Sequence, residues 1–67
     1  MRIDIKKLEI FQARECLDNK ELRQKADIGN LTLVQIKQGK RNLQPITVGK
    51  IAKALNCDVT ELIEQEN

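Results

Sequence analysis

Val48, Ile51, Ala52 and Leu55 recur at i, i+3, i+4 and i+7, the clearest apolar stripe at helical spacing in the chain. They predict a helix opened by Pro45, whose ring pre-sets φ and carries no amide hydrogen to leave unpaired in a first turn. Asn56 is placed to end it. Gly49 interrupts this helix at ~1 kcal/mol relative to Ala, so close approach of a neighbouring backbone is its expected reason. Upstream, Leu22 and Ala26 stand i, i+4 on the inner edge of another helix. Asp18 is its expected N-cap, and Glu21, three residues on, completes a capping box. A break at Asp27-Ile28-Gly29 follows: Asp tolerates the left-handed conformation, Ile28 plugs the angle between helices, and Gly29 serves as the next N-cap. The third helix is expected from Asn30 to Gln38, with Gly39 as its C′ residue.

The ends carry weaker patterns. Lys6 to Cys16 is helix-favouring, but a Leu8/Phe11 pair competes with a stripe of Ile10, Ala13 and Leu17, which leaves the buried face open. Met1, Ile3 and Ile5 alternate with Arg2, Asp4 and Lys6, as in a short edge strand or an extended arm packed on the body. Asp58 and Glu61 repeat the capping box, and Glu61–Glu66 carries a fifth helix with Leu62 and Ile63 as its apolar residues. The pattern therefore specifies an all-α domain of five short helices spanning residues 1–67.

One of these helices has two apolar sides. At 100° per residue, Leu33 and Ile36 share one side of the third helix, whereas Leu31, Val34, Gln35 and Gln38 cluster on the other with Asn30 at its margin. A core accounts for the first side only.

Composition narrows what meets the second. A chain of 67 residues buries only ~60% of its unfolded surface, which leaves no room for a large internal active site. Apolar residues at 40% and charged residues at 33% suit a compact helical globule. Phe11 is the single aromatic residue, so there is no platform for stacking unpaired bases. Cys16 and Cys57 without any histidine provide neither a zinc-finger set nor a Cys-His catalytic pair. They read as small buried thiols, with a disulfide between them as the alternative. No Gly-rich phosphate loop or activated nucleophile is present, so the chain is read as non-enzymatic, with no cofactor, metal or small-molecule ligand. No apolar run reaches the ~20 residues of a membrane span and no signal-peptide pattern opens the chain, so a cytoplasmic location is expected.

Charge is distributed unevenly. Between Ile28 and Cys57 there is no acidic residue, while Lys37, Lys40, Arg41, Lys50 and Lys53 are basic; from Asp58 onward the charges are all acidic. A run of cations uninterrupted by an anion suggests a polyanionic partner.

The series Leu22, Ala26, Ile28, Leu33, Ile36, then Gly39-Lys40-Arg41-Asn42 and IAKALNCDVTELI, resembles the helix-turn-helix domain of Cro- and lambda-repressor-like (XRE-type) regulators of bacteria and phages. The likeness covers roughly residues 8–63, with the helix-turn-helix itself at about 18–38. Arg23 stands where the family usually has Ala and Asp27 where it usually has Gly. Gln12 and Lys37 replace an Arg and a Glu that tend to pair, and Leu43 replaces a frequent Pro. The resemblance implies a sequence-specific double-stranded DNA-binding regulator, most simply a repressor that excludes polymerase from an overlapping promoter. The third helix would enter the major groove. Asn30 and Gln35 would pair with adenine edges while Leu31 and Val34 pack on thymine methyls, giving an A·T-leaning site. Asn19, Lys40, Arg41 and Asn42 would hold phosphates. Plainer roles stand beside these: Asn30 as a cap, Gln35 and Gln38 as solvated positions, and Lys37 as a cation at a helix C-terminus. Relatives bind as two-fold dimers, and Val59, Leu62 and Ile63 are the expected homodimer surface, or else part of the monomer core. The competing function is an antirepressor-like protein-interaction module using Leu31 and Val34.

Overall fold

The computed structural model describes residues 1–39 and 42–64. It contains five helices: α1 (Ile5–Arg14), α2 (Asn19–Ala26), α3 (Asn30–Lys37), α4 (Pro45–Ala54) and α5 (Val59–Leu62). Helix α2 packs chiefly on α4 and joins α3 across the short turn, while α5 closes the bundle against α1 and α4. The core comprises Ile3, Leu8, Leu22, Ala26, Leu33, Ile36, Leu43, Val48, Ile51, Ala52, Ala54, Leu55 and Leu62.

Helix starts follow the sequence closely. Asp18 accepts from the Glu21 amide at 2.8 Å while Glu21 Oε1 accepts from the Asp18 amide at 3.2 Å, and Asp58 with Glu61 repeats this reciprocal box. Pro45 occupies the first turn of α4. Helix α1 begins one residue earlier than expected, because Asp4 accepts from the Lys7 amide and serves as N-cap. Its inner edge is Leu8 and Gln12 with Phe11 half-buried, and Ile10 is left 64% exposed.

Three helix ends share one device. The residues after α1, α2 and α4 are Cys16, Asp27 and Asn56, all left-handed with φ of 56°, 56° and 55°. In each case that residue and its successor donate back to the last turn: Cys16 to Ala13 and Leu17 to Gln12, Asp27 to Gln24 and Ile28 to Arg23, Asn56 to Lys53 and Cys57 to Ala52. This paired arrangement satisfies carbonyls the helix leaves open, and the following apolar residue seals it. Leu17, Ile28 and Cys57 are those residues, each half-buried against the core. Arg14 adds a second cap on α4, its guanidinium donating to the Leu55 and Asn56 carbonyls at 3.1 and 3.0 Å and lying 4.7 Å from the Phe11 ring centroid. Gly39, at φ 69°, closes α3 as expected.

Several expectations need correction. Helix α5 stops at Leu62, short of Glu66, and Ile63 turns extended to form an antiparallel bridge with Ile3. Asp4 donates to the Leu62 carbonyl and Glu64 to the Arg2 carbonyl, so the N-terminal arm takes backbone groups that a longer helix would use. A run of carboxylates at a helix C-terminus also opposes its dipole. Leu62 is 0% exposed and belongs to the monomer core, which removes it from the expected dimer surface. Cys16, at a left-handed position just past α1, is exposed, whereas Cys57 is half-buried; both are free thiols. Burial first, then the Glu61 carboxylate, pushes the Cys57 thiol pKa up, which disfavours the thiolate.

Gly49 has no neighbour pressing on it: a Cβ there would meet nothing within 4 Å. Gly49→Ala is therefore expected to stabilise the fold by ~1 kcal/mol, raising Tm by about 4–8 °C in thermal denaturation. An unchanged or lower Tm would reveal a packing constraint at this position.

Candidate nucleic-acid interface

Helix α3 is held by its inner side. Leu33 and Ile36 are buried in the core, and Ile28, in the turn before it, packs half-buried beside them. The opposite side is open: Leu31 is 68% and Val34 42% exposed, and Asn30 and Gln38 are exposed. Gln35 is half-buried and has a partner within the chain, unlike the solvated position that was its plainer reading. Gly29, the N-cap of α3, offers no side-chain hydrogen bond.

Of the four expected phosphate-binding residues, Asn19 and Asn42 lie among the described residues. Asn19 is exposed at the first position of α2, where its Oδ1 accepts from Gln12 Nε2 at 2.9 Å. Asn42 is exposed in the segment before α4, and its Oδ1 accepts from the Met1 amine at 2.8 Å. Lys40 and Arg41 lie outside the described residues. Arg2 donates to the Gly39 carbonyl at 2.7 Å, so the N-terminal arm also reaches the end of α3. Sequence patterning placed this arm on the body without identifying that contact.

Among the described residues, the cations of the basic run have different surroundings. Lys37 is half-buried and donates to Gln12 Oε1 at 2.8 Å instead of serving only the helix dipole. Lys50 and Lys53 line a groove of about 300 Å³ with Lys25, Asp27, Ala26 and Ala54, between α4 and the end of α2. Val59 and Ile63 are half-buried at the α5 end, near a groove of about 380 Å³ lined by Lys7, Ile10, Phe11, Thr60 and Glu61. Ile46, at the start of α4, is 72% exposed and was not singled out from sequence because it falls off the Val48–Leu55 stripe. No helix among the described residues is long and apolar enough to cross a membrane.

Two short helices joined by a left-handed turn, the second presenting a mixed amide and aliphatic side outward, define a helix-turn-helix nucleic-acid-binding module. Residues 7–67 match the family model of the Cro/C1-type HTH DNA-binding domain, and the chain belongs to that family. No curated protein matches the sequence significantly. Among solved structures the chain is similar to the restriction-modification controller protein C.AhdI from Aeromonas hydrophila, with 19% identity and a TM-score of 0.76 over 85% of this chain and 86% of that one. That likeness is one of fold.

Proposed function

We propose that the chain is a sequence-specific transcriptional regulator that places α3 in the major groove of double-stranded DNA and acts as a repressor in the cytoplasm. The observation that carries this reading is the outward side of α3, where Leu31 and Val34 stand exposed between Asn30 and Gln38 while Leu33 and Ile36 anchor the helix from behind. Exposed aliphatic groups fit thymine methyls, and carboxamides at Asn30 and Gln35 suit adenine N6 and N7. Asn19, Lys40, Arg41 and Asn42 supply phosphate contacts that fix register without reading sequence.

One module gives a small interface, so two copies on half-sites about one helical turn apart supply the specificity. Val59 and Ile63 remain candidates for that homodimer contact, with the exposed Ile10 beside Thr60 and Glu61 as an addition. A second reading, a protein-interaction module docking on Leu31 and Val34, rests on the same exposure.

Selection of bound sequences from random duplexes at two salt concentrations separates the two. An A·T-leaning consensus whose affinity falls steeply with salt is expected. Recovery of only G·C-rich cores would refute the assigned base contacts, and salt-insensitive capture would favour the protein-docking reading.

A further inference from the structure

A chain of side-chain hydrogen bonds runs from α3 across α1 to the first turn of α2. Lys37 Nζ donates to Gln12 Oε1 at 2.8 Å, and Gln12 Nε2 donates to Asn19 Oδ1 at 2.9 Å. Chemistry fixes the direction of both bonds. An ammonium carries donors and no acceptor, so it must take the oxygen of the Gln12 carboxamide. The Gln12 NH2 then faces Asn19, which has to answer with its own oxygen. Gln12 is only 8% exposed, so its amide is not free to reorient in solvent. Asn19, by contrast, is exposed, and the NH2 on the other arm of its planar amide is turned away from Gln12.

We propose that Gln12 and Lys37 are positioning residues for DNA binding, which lock the Asn19 carboxamide with its NH2 directed outward as a donor to a backbone phosphate. This rests on the reading of the chain as a DNA-binding protein with Asn19 at a phosphate. An unrestrained amide presents oxygen as readily as nitrogen, and oxygen repels a phosphate. The relay removes the unproductive orientation before DNA arrives.

Gln12→Glu reverses the relay without dismantling it. The new carboxylate accepts from Lys37 on one oxygen and from Asn19 Nδ2 on the other, turning the Asn19 oxygen outward. Duplex affinity is expected to fall ~tenfold for every sequence tested, with Tm unchanged or raised. Ala13→Glu, which adds the same charge at the exposed neighbouring position, is expected to lose only about twofold. Gln12→Met releases the Asn19 amide and should lower Tm, yet reduce affinity of the folded protein only about twofold, the penalty for a half-populated orientation. Equal affinities for Gln12→Glu and Ala13→Glu, or affinities that simply follow Tm across the series, would overturn the relay. If Gln12→Glu fails to fold, side-chain amide exchange in the unsubstituted protein decides: slow exchange at Gln12 and duplex-sensitive Asn19 NH2 resonances support the relay, and the reverse overturns it. Wild-type protein that retains no random duplex at low salt would sink the DNA reading itself, and the relay with it. Wild-type binding that survives Gln12→Glu at the Ala13→Glu level would sink the relay alone.

Discussion

Val34→Glu is expected to abolish specific duplex binding while leaving the fold intact. Val34 is 42% exposed on the outward side of α3, so the carboxylate reaches solvent in the free protein. Glu is also the better helix former, so Tm should hold or rise slightly. In the major groove the same carboxylate would sit among phosphates, where like-charge juxtaposition costs several kcal/mol and converts to a loss of about 100-fold or more. Fluorescence anisotropy with a selected duplex, alongside a thermal melt, reads both quantities. Near-normal affinity would mean that α3 does not enter the groove by this side.

Leu62→Ala is expected to act on folding. The side chain is fully buried where α5 meets α1 and α4. Truncating such a leucine costs about 2–5 kcal/mol. At ~0.05–0.15 kcal/mol per residue, a 67-residue chain has about 3–10 kcal/mol in total, so this one substitution removes a large share of it. A Tm drop of more than ~10 °C, independent of protein concentration, is the expected outcome in calorimetry. A small, concentration-dependent shift would instead return Leu62 to a subunit contact.

What the sequence revealed follows from which interactions are local. Capping boxes at Asp18 and Asp58, Pro45 at the head of α4 and the Val48–Leu55 stripe act within a turn or two, and all of them appear in the fold as expected. The two-sided character of α3 was legible for the same reason, since Leu33 and Ile36 face inward and Leu31 and Val34 outward by helical geometry alone. The failures involve distant partners. The end of α5 depends on Ile3 pairing with Ile63, some sixty positions away, and no local pattern announces it. Gln12 is the same case: its spacing from Leu8 matches a buried edge, but a polar residue there gains meaning only through Lys37 and Asn19. Asp27 adopts the left-handed conformation that its place in the turn led one to expect, and Cys16 and Asn56 do the same elsewhere.

The outward side of α3 is tested most directly by mapping backbone and side-chain amide shifts as a selected duplex is added to isotope-labelled protein. Large perturbations are expected at Asn30, Leu31, Val34 and Gln35, with smaller ones at Asn19 and Asn42 and none at Lys50 or Lys53. Perturbations centred on the Lys25, Lys50 and Lys53 groove, with α3 silent, would contradict the central claim.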